Sequence, residues 1–216
     1  MDIRIVAGGP IESIPDLSKI AAGHEDVLWC GADRGALVLA ERGIEMEAAF
    51  GDFDSVSEEE LECIRQFAKD VNVYPPEKNE TDLELALAWA YEKKPNRIIV
   101  YGATGGRMDH TMGNIMLLAN EEHVRQPVKA IMEDAQNEIS IFCPGTYTIH
   151  RNGKRYVSFI PISEEIAGMT LSGFVYPLTN ATLKRGRTLS ISNQLNSHTG
   201  TFSFSSGILM MIRSTD

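Results

Sequence analysis

A succession of short apolar runs, each emptying into glycines, prolines or acids and most followed by a helical pattern, constrains this chain more than any other feature. Residues 3–6 run into Gly8-Gly9-Pro10, residues 27–30 into Gly31-Ala32-Asp33-Arg34-Gly35, and residues 48–50 into Gly51-Asp52-Phe53-Asp54-Ser55. Residues 71–74 are closed by Pro75-Pro76, residues 97–101 open into a glycine-rich stretch, and residues 128–132 form a sixth run. Between them, Ala36, Leu37, Leu39 and Ala40 make a helix face that stops at Gly43, and Leu61, Ile64 and Phe67 make another behind a capping box of Ser57 and Glu60. Thr81 and Glu84 predict a second capping box, with Leu83, Leu87, Ala90 and Tyr91 at helical spacing behind it. A Met- and Leu-rich helix is expected over 111–120, with Met108, Met112 and Met116 in the core. Strands alternating with helices predict a parallel sheet covered on both faces, with right-handed crossovers. Ligands of such sheets lie beyond the carboxyl ends of the strands. Gly8, Gly9, Asp33, Asp52, Asp54 and residues 105–109 all fall there.

From about residue 137 the hydrophobic period changes to two. Runs at 139–142, 147–149, 156–160, 182–183, 189–192, 201–204 and 208–212 read as strands, and Asn152-Gly153 as a two-residue hairpin turn. The expected fold class is therefore α/β, with an N-terminal parallel-sheet three-layer α/β domain over 1–143 and a small antiparallel β-sandwich domain over 144–216. Charge divides at the same place. Of the 20 Lys/Arg and 30 Asp/Glu that give a formal charge of -10, seven bases and three acids lie from Pro144 onward, leaving 13 bases and 27 acids before it. Such an acidic first domain excludes nucleic acid as its partner and admits phosphate only with a metal ion.

No apolar run approaches the roughly 20 residues of a membrane span, and residues 3–6 follow the start without a signal-peptide pattern, so a cytoplasmic protein with no membrane partner is expected. Cys30, Cys63 and Cys143 are far apart, without metal-type spacing, and read as reduced thiols in apolar or helical surroundings.

Asp52 and Asp54 flank Phe53, so in an extended segment they point the same way while Phe53 packs opposite. Paired acids of this kind suit an octahedral Mg²⁺ whose shell phosphate oxygens and water complete; the plainer alternative is a solvated turn. Asp33 and Asp82 should reach the same edge, where four uncompensated carboxylates would repel without a cation. Gly102-Ala103-Thr104-Gly105-Gly106-Arg107-Met108-Asp109-His110 is neither a P-loop nor a dinucleotide fingerprint. It is a backbone nest for phosphate with Arg107 as a forked donor, or else a simple turn. His110 opens a helix as a structural hydrogen-bonding group or as a base, and Lys78 meets phosphate or sits in solvent. Lys184-Arg185-Gly186-Arg187 reads as a solvated hairpin turn.

Assembled in order, these segments resemble the thiamine pyrophosphokinases. The resemblance is carried by Ala32-Asp33-Arg34-Gly35-Ala36, Gly51-Asp52-Phe53-Asp54-Ser55, Glu77-Lys78-Asn79-Glu80-Thr81-Asp82-Leu83 and the stretch 102–110, then by Gly173-Phe174-Val175-Tyr176-Pro177-Leu178 and Ser190-Ile191-Ser192-Asn193. It implies transfer of the β,γ-pyrophosphoryl group of ATP to the hydroxyethyl group of thiamine, giving thiamine diphosphate and AMP. It also implies a homodimer, with thiamine held where the sandwich of one subunit meets the catalytic domain of the other. Asp33, Asp52, Asp54 and Asp82 are then the Mg²⁺ and phosphate-site acids, and Asp52, Asp54, Asp82 and Arg107 the catalytic set. Gly8, Gly9, Asp33, Arg34, Lys78, Thr81, Gly105, Gly106, Asp109 and His110 are expected around ATP, and Ser190, Ser192 and Asn193 around thiamine. Two other readings share the acidic edge: a Mg²⁺-dependent nucleotide hydrolase or kinase for another small alcohol, and a nucleotide-binding protein without catalysis.

Overall fold

The computed structural model describes residues 1–23, 26–75 and 77–216, so Pro76 of the expected Pro75-Pro76 stop lies outside the described residues. The chain forms two compact units, Met1–Leu117 with Gln126–Ala135, and Leu118–Arg125 with Gln136–Asp216.

The chain begins β1 (Asp2–Val6), α1 (Leu17–Ala22), β2 (Val27–Ala32), α2 (Arg34–Ala40), β3 (Met46–Gly51), α3 (Glu58–Phe67), β4 (Ala68–Val73), α4 (Asp82–Glu92), β5 (Arg97–Tyr101) and α5 (Met108–Leu118). A short helix, α6 (Glu121–Val124), belongs to the second unit, and β6 (Ala130–Glu133) returns to the first. The six strands are parallel, in the order β4-β3-β2-β1-β5-β6. The chain winds outward from β1 to β4 and restarts beside β1 with β5. The carboxyl ends of β1 and β5 therefore flank the topological switch point, where open sheets of this kind take their ligands.

Side chains alternate across this sheet. Trp29, Ala49, Ile99 and Tyr101 meet Leu17, Leu37, Leu39 and Ile64 in one core. From the next position of β3, Phe50 meets Trp89 of α4 on the opposite face at 6.0 Å between rings. Each fully buried aliphatic side chain contributes about 1.5–3 kcal/mol. The caps form as expected: Ser57 Oγ accepts from the Glu60 amide at 3.2 Å, and the Glu60 carboxylate accepts from the Ser57 amide at 2.7 Å. Thr81 Oγ1 accepts from the Glu84 amide at 3.2 Å, so this terminus carries half of the predicted box. One expectation fails on α5. Met108, Met112 and Met116 are exposed, at 72%, 50% and 49%, because Ile115 and Leu118 form the inward face and the methionine stripe lies away from it.

The second unit contains β7 (Asn137–Phe142), β8 (Gly145–His150), β9 (Tyr156–Pro161), β10 (Glu165–Ser172), β11 (Leu178–Lys184), β12 (Thr199–Phe204) and β13 (Leu209–Ser214). These make two antiparallel layers, β7-β13-β9 and β11-β10-β12-β8. Phe159, Leu209 and Met211 of one layer share a core with Ile149, Ile166, Leu183 and Phe202 of the other, which makes the unit a β-sandwich. Three local expectations change. Strand β10 was hidden because its pairing slips between Ile166 and Met169, around Gly168 at φ 71°. Residues 189–192 form a turn rather than a strand. Asn152-Gly153 closes no hairpin, since β8 pairs with β12 and β9 with β13. The three cysteines are free thiols, Cys30 buried and Cys63 and Cys143 partly so. Among the described residues no helix is long and apolar enough to cross a membrane.

Candidate active site

Strands β2 and β3 end side by side, and the Asp33 amide donates to Phe50 O at 2.8 Å. Asp33 then turns through φ 50°, ψ −130° to start α2. Ser55 Oγ donates to Asp33 Oδ1 at 2.8 Å, and Arg34 Nη1 donates to Ser55 O at 2.9 Å, so the turn after β3 is fastened to the start of α2. Phe53 is 4% exposed and takes φ 54°. The segment is therefore not extended, yet the Asp54 carboxyl still meets the Asp52 side chain. Asp33, Asp52 and Asp82 each offer a carboxylate oxygen, all within 4.8 Å of one another. Asp54 stays exposed outside that trio, its amide donating to Asp52 Oδ1 at 3.2 Å. The negative charge of Asp52, then burial and the charge of Asp33, holds the Asp54 carboxyl above the usual carboxylate range.

Asp82 enters from α4, where the Thr81 cap places it in the first turn. Lys78 Nζ stands 2.8 Å from Asp82 Oδ1 and 5.9 Å from the centre of the Tyr74 ring, so Lys78 belongs to the site rather than to solvent. This approach pairs the charges at a poor hydrogen-bonding angle. Burial raises the Asp82 pKa first; Lys78 pulls against it, and Asp33 and Asp52 add to it. One ammonium does not balance four acids. Clustered hard oxygens are the donor set that Mg²⁺ takes.

At the switch point the Gly9 amide donates to Gly102 O at 2.8 Å. A Cβ on Gly9 would fall 2.4 Å from that oxygen, so only glycine permits the approach. Gly105 and Gly106, at φ 83° and 64°, carry the loop through left-handed conformations. Its carbonyls are tied back: Gly102 O by Gly9, Ala103 O by Asn114 Nδ2 at 2.9 Å, and Gly105 O by Thr111 Oγ1 at 3.1 Å. Among the described residues nothing accepts from the amides of Thr104, Gly105, Gly106 and Arg107. The loop thus leaves a run of four amides unpaired among the described residues, as an anion nest does. Arg107 grips Asp109 through Nε at 3.1 Å and Nη2 at 2.6 Å, holding that carboxyl down to about 2. Both are exposed, as is His110, whose amide donates to Asp109 Oδ1 at 3.0 Å.

Two residues escaped the sequence reading. Thr104 Oγ1 donates to Asp134 Oδ2 at 2.6 Å, and both residues are 8% exposed. Asp134 follows β6 as Asp33 follows β2, so an acid placed just past a strand was the available signal.

In the sandwich, Ser190 is buried and its Oγ donates to Phe159 O at 2.6 Å. Asn193 is 2% exposed; its Nδ2 donates to Tyr176 O at 2.8 Å, and its Oδ1 accepts from the amides of Tyr176 at 3.0 Å and Gln194 at 2.9 Å. These two side chains hold backbone in place. Ser192, at φ 56°, is exposed beside Ile191, and Val175, Tyr176 and Leu189 are exposed as well. A cleft of about 390 Å³ opens between Leu183, Lys184, Arg187 and Ser190. The basic turn itself is exposed and follows β11.

Comparison with known proteins gives the setting for these residues. The family model "Thiamin pyrophosphokinase, catalytic domain" matches residues 23–130, and "Thiamin pyrophosphokinase, vitamin B1 binding domain" matches residues 146–209. A thiamine pyrophosphokinase of Bacillus subtilis is 51% identical over 215 residues, 99% of each chain. The crystal structure of thiamine pyrophosphokinase from Bacillus subtilis superposes with a TM-score of 0.91 at 49% identity, covering 100% of both chains. That of thiamin pyrophosphokinase from Geobacillus thermodenitrificans gives 0.89 at 49% identity, covering 100% of this chain and 98% of that one. With the acidic edge and glycine loop inside the catalytic-domain match, the sandwich turn inside the vitamin B1 match, and a relative aligned over nearly the whole chain, this chain belongs to the thiamine pyrophosphokinase family.

Proposed function

We propose that the carboxyl edge of the parallel sheet is a Mg-ATP site and that its residues divide the work of the thiamine pyrophosphokinase reaction. In that reaction the pyrophosphoryl group of ATP passes to the thiamine hydroxyl and AMP leaves. The observation carrying the proposal is the approach of Asp33, Asp52 and Asp82 oxygens to within 4.8 Å. These three would hold Mg²⁺, which when bound supplies neutralising charge to the phosphates.

Transfers of this kind need positioning and charge stabilisation more than covalent help. The amides of residues 104–107 receive phosphate oxygens, Gly9 sets the loop against β1, and Arg107, oriented by Asp109, contributes positive charge beside the nest. Lys78 places a second cation at the acid cluster. Asp54, outside the trio, accepts the proton of the thiamine hydroxyl. Residues 1–143 supply this catalysis and residues 144–216 the thiamine site. There Ser190 and Asn193 fix the backbone of the pocket, and Ser192 faces the vitamin. A cytoplasmic homodimer with thiamine at the subunit interface completes the reading.

A nucleotide assay in Mg²⁺, run with and without thiamine, tests it. AMP should accumulate only when thiamine is present. Thiamine-independent release of ADP or phosphate would point to a hydrolase, and ATP binding with no turnover on any alcohol would leave a binding protein.

A further inference from the structure

We propose that Asp134 is a positioning residue for the nucleotide: its carboxylate, acting through the Thr104 hydroxyl, fixes the loop whose amides receive the ATP phosphates. This rests on the reading of residues 102–110 as the phosphate loop. Strands β5 and β6 pair with Val100 opposite Met132, so Gly102 and Asp134, each two residues further on, emerge at the same level. Thr104 is the middle residue of the five from Gly102 to Gly106, flanked on both sides by glycines at positive φ. It is the one polar side chain of that stretch, and it is buried against Asp134 at 2.6 Å.

A carboxylate accepts and never donates, so the Thr104 hydroxyl must give its proton to Asp134, and the side chain loses its freedom to rotate. With the side chain held, the backbone between the glycines is held as well. A second tie runs beneath it. The Ala135 amide donates to Ser13 O at 3.0 Å, and a Cβ on Gly105 would lie 3.1 Å from Ser13 Oγ and 3.3 Å from Pro10 Cδ. The turn after β6 thus braces the loop directly through Asp134 and indirectly through residues 10–13. Glycines give the loop its shape at the cost of rigidity. The Thr104–Asp134 bond restores rigidity at its centre.

The test compares Thr104→Val, Thr104→Ser and Asp134→Asn in the full chain. Steady-state rates are taken with ATP and thiamine varied separately, and backbone amide exchange of residues 103–107 is followed with and without Mg-ATP. Thr104→Val should raise KM for ATP about tenfold and leave KM for thiamine within about twofold, because only the nucleotide contacts this loop. Thr104→Ser, which keeps the hydroxyl, should restore KM for ATP to within about threefold of the original. Asp134→Asn, whose amide oxygen still accepts but without the charge, should raise KM for ATP less than Thr104→Val does, and adding it to Thr104→Val should cost no more than Thr104→Val alone, as for one shared interaction. An unchanged KM for ATP in Thr104→Val overturns the proposal even if Asp134→Asn fails to fold. So do parallel losses in both KM values that Thr104→Ser shares. If Mg-ATP does not slow exchange at 103–107 in the unaltered protein, the phosphate-loop reading itself falls. Slowed exchange there, with a normal Thr104→Val, removes only the role of Asp134.

Discussion

Replacing Asp52 with Asn should stabilise the metal-free protein while removing its activity, a combination that a carboxylate holding the fold together would not produce. The Asp33, Asp52 and Asp82 oxygens lie within 4.8 Å of one another. Two unit charges at that separation repel by about 3.5 kcal/mol at an effective dielectric of about 20, and by about 0.9 kcal/mol in water. Asp52 takes part in two such pairs, so neutralising it relieves about 2–7 kcal/mol before screening. Partial exposure and salt weaken the repulsion, and Lys78 beside Asp82 offsets some of it. The Asp54 amide bond to Oδ1, at 3.2 Å, survives in asparagine. A net gain of about 1–2 kcal/mol is expected, or about 2–8 °C in melting temperature for a chain of this size. Thermal melts in EDTA and in Mg²⁺ measure this, beside thiamine-dependent AMP release. Magnesium should raise the melting temperature of the unaltered protein more than that of the variant. Turnover of the variant should fall at least about a hundredfold, the loss of ~2.7 kcal/mol at the transition state. A variant that melts at or below the original in EDTA, or that gains equally from Mg²⁺, would refute a cation site built on mutual repulsion.

Lys78→Ala removes the cation 2.8 Å from Asp82 and should slow turnover roughly a hundredfold, or ~2.7 kcal/mol; a rate within about twofold would end that role. The Asp82 carboxyl is raised in the folded state, chiefly by burial, so ionised Asp82 opposes folding at neutral pH. That penalty fades as pH falls through the folded pKa, so the stability gap between Asp82→Asn and the original protein should narrow in EDTA from about pH 7 to about pH 4. A constant gap across that range would contradict the assignment. Asn193→Ala deletes three side-chain hydrogen bonds to backbone, at about 1 kcal/mol each, and should destabilise the protein by about 2–4 kcal/mol. Its KM should rise for thiamine and hold for ATP, and the reverse pattern would move Asn193 out of the thiamine site.

The parallel sheet was legible because each short apolar run stops where backbone must turn, and the turn is marked by glycine, proline or acid. Asp33, Asp52 and Asp82 could be placed on one edge from those stops and the Thr81 cap alone. Directions within the edge were not legible. Phe53 takes φ 54° against the preference of an aromatic residue, and only its burial in the core explains it. On α5 the pattern offers two apolar faces, and Ile115 and Leu118 win the inward one through contacts no local window contains. The sandwich shows the same limit. Asn152-Gly153 favours a hairpin locally, yet the neighbours of β8 and β9 are β12 and β13, about fifty residues away in sequence. Thr104 and Asp134 are 30 residues apart, and their bond is visible only once β6 lies beside β5.

The two left-handed residues of the edge explain how carboxylates two positions apart come to differ. A non-glycine residue in that region costs of order 1–3 kcal/mol, and it persists only where surrounding structure insists on it. At Asp33 the insistence comes from the amide bond to Phe50 O and the bond from Ser55. At Phe53 it comes from the ring, buried to 4% in the core beneath the site. Turning the chain at Phe53 sends Asp52 to Asp33 and Asp82 and leaves Asp54 in solvent. Had the segment run extended, both carboxylates would face one way, and one site would carry four crowded charges. The turn instead leaves the proposed proton acceptor, Asp54, exposed while its carboxyl still meets that of the half-buried proposed metal ligand, Asp52. Repulsion from Asp52 raises the proton affinity of Asp54 without drawing it into the trio. Strain at one buried aromatic thereby gives two adjacent acids the different surroundings that different tasks require.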